Sequence, residues 1–108
     1  MTVKDVTYEE AQQILETNEL VLIDFYGATC APCKALLPFL EKVAEQYDSV
    51  ETIKICVDTE EGNAYAKSLN IQGVPTLIAY KGNQEFTRAV GMTPPSKLKE
   101  LFENLTNS

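Results

Sequence analysis

Leu20-Val21-Leu22-Ile23-Asp24-Phe25-Tyr26, followed after a short gap by Cys30-Ala31-Pro32-Cys33, is the stretch that decides the fold. Its first half is an apolar run of strand length, interrupted only by Asp24. Such a run suits a strand covered on both faces, as in a parallel sheet. Its second half opens a helix. Cys33, Leu36, Leu37, Leu40, Val43, Ala44 and Tyr47 fall on one apolar stripe, three or four residues apart along most of its length. Pro38 lies inside that helix, where it removes a backbone donor and introduces a kink.

Outward from this stretch, hydrophobic periods alternate. Val3 to Val6 is expected to form a short first strand. Thr7-Tyr8-Glu9-Glu10 has the form of a capping box, and Ala11, Ile14 and Leu15 follow as a helical stripe. Thr52 to Val57 is expected as a strand with Ile53, Ile55 and Val57 on one face. Asp58 is then the expected cap of a short helix running to about Leu69. Thr76 to Tyr80 and Glu85 to Val90 flank Lys81-Gly82-Asn83 and form an antiparallel hairpin. Thr93-Pro94-Pro95 starts a last helix with Leu98, Leu101, Phe102 and Leu105 as its stripe. This order predicts an α/β chain with a mixed sheet.

Composition narrows the chemistry. With 108 residues the expectation is one domain over 1–108. Nine Lys and Arg against 16 Asp and Glu leave a net charge of −7, a poor match to nucleic acid or an anionic membrane. The chain has no His and no Trp, and 3 Cys. Absence of His excludes Ser-His-Asp triads, Cys-His pairs and His-bound zinc. Catalysis is left to carboxylates, Lys, Tyr or thiols. Leu20 to Ile23, the longest aliphatic stretch, falls far short of a membrane span. Met1-Thr2-Val3-Lys4-Asp5 is polar, and cysteines are too sparse for a secreted disulfide scaffold, so a cytoplasmic location is expected.

The cysteine pair suits reversible disulfide chemistry. On a helical turn, side chains three residues apart stand about 5–6 Å apart at Cβ, which a disulfide can close. Cys33 lies on the core stripe, whereas Cys30 lies at the helix start. Unpaired N–H groups and the positive end of the helix dipole favour a thiolate there. Cys30 is therefore the expected attacking thiol and Cys33 the resolving one. Three blander uses compete. A structural disulfide over so short a loop contributes only about 2 kcal/mol on the entropy model. A metal site lacks ligands, because Cys56 is the one other thiol. Inert core cysteines are the third.

Asp24 would be costly in a buried strand. It either reaches solvent or accepts a proton from Cys33. Lys54, the only charge within Ile53 to Val57, either extends to the surface or lies beside Asp24. Cys56 is expected to be a small core hydrophobe. In Gly73-Val74-Pro75-Thr76, the proline either simply begins a strand or carries a cis bond that leaves the Val74 backbone open to an extended peptide.

Several separated motifs now combine. Val21 to Tyr26, Cys30-Ala31-Pro32-Cys33-Lys34, Pro38, Lys54 with Val57-Asp58, Gly73-Val74-Pro75-Thr76, Lys81-Gly82 and Val90-Gly91 together resemble the thioredoxin family over essentially the whole chain. The resemblance implies a thioredoxin fold, a central five-stranded mixed sheet flanked by four helices. It implies a protein-disulfide reductase in which Cys30 attacks, Cys33 resolves, Asp24 accepts the proton, Lys54 stands near Asp24, and cis-Pro75 faces the pair. Substrate contacts would fall to Thr29, Ala31, Pro32, Gly73, Val74, Gly91 and Met92.

No metal is expected, and no cofactor beyond the Cys30–Cys33 pair itself. The implied partners are a thioredoxin reductase and disulfide-containing proteins, with a monomeric chain and neither nucleic acid nor membrane. The alternative is a docking module whose thiols are not turned over. Three departures stand out: Thr29 and Tyr26 where relatives often carry Trp, and Ala31 where Gly is usual. None touches a thiol, Asp24 or Pro75, so they bear on potential, substrate range and choice of reductase.

Overall fold

The central strand is the buried run expected from the sequence. The computed structural model describes residues 3–107, so the ends of the expected 1–108 domain lie outside the described residues. The chain runs β1 (Lys4–Asp5), α1 (Tyr8–Thr17), β2 (Leu20–Tyr26), α2 (Ala31–Ala44), β3 (Glu51–Cys56), α3 (Glu60–Ser68), β4 (Thr76–Lys81), β5 (Gln84–Val90) and α4 (Pro95–Asn107). The five strands form one mixed sheet in the order β1-β3-β2-β4-β5. β2 lies in the middle, parallel to β3 and antiparallel to β4.

Alternation along the strands builds a core on each face. Leu22, Leu77 and Ala79 pack with Leu36 and Leu40 of α2 and Leu98 and Phe102 of α4. On the opposite face Val21, Ile23, Phe25, Ile53, Ile55 and Ile78 pack with Ala11 and Leu15 of α1 and Tyr65 of α3. Burial on both faces explains why β2 is apolar at nearly every position.

Local chemistry sets the element ends. Thr7 and Glu10 form the capping box at the start of α1. Gly82 and Asn83 both take positive φ, 60° and 64°. This is the two-residue loop whose twist matches a hairpin. Three expectations need correction. β1 holds only Lys4 and Asp5; Val3 and Val6, which flank it, are buried in the core, and the Val6 N–H still donates to the Lys54 carbonyl at 2.9 Å. α2 ends at Ala44, before Tyr47, whose ring stacks on Phe102 at 5.3 Å from beyond the helix. The cap of α3 is Thr59, whose hydroxyl accepts the Gly62 N–H at 2.9 Å. Asp58 is engaged elsewhere.

Candidate functional site

Cys30 and Cys33 are joined as a disulfide at the start of α2, with Cα atoms 5.3 Å apart. Cys30 is the N-cap, and its sulfur accepts the Cys33 N–H at 3.2 Å. An N–H aimed at this sulfur also favours a thiolate in the dithiol form. Cys33 is only 4% exposed, on the same helix face as buried Leu36 and Leu40. Cys30 is half-buried. The two sulfurs are therefore inequivalent in access.

The loop that delivers Cys30 is tied from two sides. Cys30 N–H donates to the Gly27 carbonyl at 3.4 Å. Ala28 N–H donates to the Asp58 carboxylate at 2.7 Å. Because β2 and β3 run parallel, their C-terminal ends lie side by side, and Asp58 follows β3 where Ala28 follows β2. Sequence reading alone makes Asp58 a helix cap and misses this tie. The parallel pairing is the signal that leads to it.

Behind the pair, Asp24 is 1% exposed. Asp24 and Cys33 line one recess of about 190 Å³, together with Tyr26, Gly27, Ala28, Lys34, Leu37 and Lys54. Burial pushes the Asp24 carboxyl up to about 7, partly offset by the positive charge of Lys54. Lys54 stands in register with Asp24 on the neighbouring strand. Asp24 Oδ1 has no hydrogen-bond partner among the described residues. Asp24 is thus buried rather than solvated, and Lys54, half-buried, stands beside it on the neighbouring strand.

On the other side of the pair, the Val74–Pro75 peptide bond is cis. Cys30 Sγ lies 3.8 Å from the Val74 carbonyl oxygen. The Pro75 carbonyl accepts the Gly91 N–H at 2.8 Å, and the Thr76 hydroxyl donates to the Gly73 carbonyl at 2.7 Å. Val74, Pro75 and Gly91 are thereby assembled beside Cys30. Thr29, Ala31 and Pro32 are exposed around it, as is Gly73. Met92 is also exposed, but it borders a different recess, with Thr87, Val90 and Pro94 between β5 and α4.

Cys56 departs from expectation. It is a half-buried free thiol at the end of β3, bordering a recess with Val6, Tyr8 and Thr59, not a core residue. The sheet ends there, so no helix covers it fully. Among the described residues, no cluster of three or more His, Cys, Asp or Glu side chains is placed to hold a metal ion, and no helix is long and apolar enough to cross a membrane.

This arrangement can exchange disulfides: one accessible sulfur, one covered sulfur, and a carboxyl near neutrality behind the covered one. Comparison with known proteins agrees. The thioredoxin family model matches residues 2–104. Thioredoxin-2 of Saccharomyces cerevisiae is 38% identical over 88 residues, covering 82% of this chain and 83% of that protein. Thioredoxin 1 of Synechococcus elongatus is 35% identical over 102 residues, covering 94% and 92% respectively. The solved structure of a mutant thioredoxin from Halobacterium salinarum superposes with a TM-score of 0.88 at 34% identity, covering 97% of this chain and 91% of that one.

Proposed function

This chain belongs to the thioredoxin family and is a thiol–disulfide oxidoreductase, and from that premise we propose that it works chiefly as a reductant of protein disulfides. The observation that carries the proposal is the asymmetry of the pair: Cys30 half-buried at the helix cap, Cys33 covered and sharing a recess with Asp24.

The Cys30 thiolate attacks one sulfur of a substrate disulfide. That S–S bond breaks, the second substrate sulfur leaves as a thiolate and is protonated by water, and a mixed disulfide to Cys30 remains. Cys33 then gives its proton to Asp24 and attacks Cys30 Sγ. The mixed disulfide breaks, and the departing substrate thiolate takes the proton from Asp24. Two electrons and two protons pass to the substrate, and the Cys30–Cys33 disulfide is left. Lys54 moderates Asp24, and an extended substrate lies along Val74 beside Pro75, contacting Thr29, Ala31, Pro32, Gly73 and Gly91, with Met92 at the outer limit.

A thioredoxin reductase returns two electrons and two protons to the pair. The chain acts as one domain over 1–108. A net charge of −7 favours a monomer, and a free thiol at Cys56 suits the reducing cytoplasm. No further cofactor takes part.

Insulin reduction coupled to a thioredoxin reductase tests this. Cys30→Ser is expected to abolish turnover, and Cys33→Ser to accumulate covalent substrate adducts through Cys30. Full turnover by Cys30→Ser would sink the assignment. A docking module with idle thiols would show no reversible two-electron titration of the pair.

A further inference from the structure

Four side chains on one face of the sheet are linked in a way the exchange steps do not use. Asp5, Lys54 and Asp24 stand in register across β1, β3 and β2. Tyr26 is two residues beyond Asp24 and therefore projects from the same face. Its hydroxyl reaches across β3 and donates to the Asp5 carboxylate at 2.9 Å. The Lys54 ammonium lies over the Tyr26 ring, 5.4 Å from its centroid. That is within the roughly 6 Å over which an aromatic face attracts a cation.

We infer that Tyr26, latched by its hydroxyl to Asp5, is a positioning residue: it holds the Lys54 ammonium at the edge of the recess and so controls the charge state available to Asp24. This inference rests on the proposed role of Asp24 for its importance to turnover, though not for its physical content.

The surroundings leave few other groups to do this. α2 contributes Cys33 and Lys34 to the recess, β3 contributes Lys54, and β2 contributes Tyr26 itself. β4 presents apolar Leu77 in register with Asp24. The groups that act on the Tyr26 phenol are Asp5, to which it is hydrogen-bonded, and, through their charge, Cys56 and Asp24. Burial first, then the bond to Asp5, pushes the Tyr26 phenol upward, so it stays protonated and remains a donor.

Lys54 has two carboxylates in register, one on each side. Asp24 is buried and Asp5 is exposed. An ammonium freed from the ring moves toward the exposed, hydrated carboxylate, because entering the recess costs it solvation. Loss of the ring therefore removes positive charge from Asp24, and the neutral carboxyl is favoured.

The test is the carboxyl-carbon NMR titration of Asp24 in the oxidised protein, which needs no turnover. Tyr26→Leu is expected to raise the titration midpoint by about half to one pH unit. Tyr26→Phe keeps the ring and loses the tie to Asp5, so a smaller rise is expected. Lys54→Met is expected to raise the midpoint by itself and to abolish any further effect of Tyr26→Leu, as a double-mutant cycle requires. An unchanged or lowered midpoint in Tyr26→Leu overturns the inference. So does a shift that persists undiminished in the Lys54→Met background, and a Phe variant identical to wild type removes Asp5 from it. If the titration behaves as expected while the wild-type resolution rate ignores the Asp24 midpoint, the latch stands and the proton-acceptor role falls.

Discussion

Asp24 and Lys54 face each other in register on parallel strands, yet the carboxyl keeps one oxygen without a hydrogen-bond partner among the described residues while the ammonium lies over Tyr26. Half-compensated burial of this kind leaves a group able to gain and lose a proton near neutral pH.

A pH dependence of stability follows from it. The folded Asp24 carboxyl titrates at about 7, above its ordinary 3.8. The folded state therefore holds the proton more tightly than the unfolded chain, and the associated stability is complete below 3.8 and lost as pH rises to about 7. Asp24→Asn is expected to stabilise the oxidised protein at pH 8 by about 2–4 kcal/mol and to change little at pH 4. Urea unfolding at both pH values measures this, and an equal effect at both would contradict it.

Kinetics separate the two chemical steps. Asp24→Asn removes the acceptor for the Cys33 proton but leaves Cys30 at its helix cap. Resolution of the mixed disulfide is expected to slow about ten-fold or more at pH 7, with little change in the initial attack. Stopped-flow measurement of both steps decides it; parallel slowing would count against the acceptor role.

Asp58 is expected to matter for the loop before Cys30. Asp58→Ala leaves the Ala28 N–H without its carboxylate, at a cost of about 1–2 kcal/mol in an exposed setting. Asp58→Asn keeps an acceptor oxygen and should recover about half of that. Denaturation midpoints of the two variants test the ordering, and an Asn variant as weak as the Ala variant would refute it.

Gly62 offers a contest of magnitudes. In a helix interior, Gly→Ala is worth up to about 1 kcal/mol of stabilisation. Here a Cβ would overlap the Cys56 carbonyl oxygen, a backbone atom that cannot rotate away. Overpacking typically costs about 1–3 kcal/mol, so net destabilisation is expected for Gly62→Ala. A thermal midpoint at or above that of wild type would show that α3 shifts to make room.

Local pattern was enough to read several parts of this protein. The apolar run at Val21 to Phe25, interrupted only by Asp24, marked the central strand because both of its faces are buried. The Thr7–Glu10 box, the Gly82-Asn83 turn and the α4 stripe are read within a few residues, and the structure reproduces them. Cys30 and Cys33 were legible because helix position alone makes their sulfurs unequal. Everything that depends on which strands become neighbours had to wait for the folded chain. Parallel pairing of β2 with β3 brought Lys54 beside Asp24 and drew Asp58 from the expected cap to Ala28. The placement of β1 beyond β3 gave Tyr26 its partner in Asp5. Cys56 proved half-buried because it lies where the sheet ends, and strand periodicity specifies which way a residue points but not what stands there to cover it.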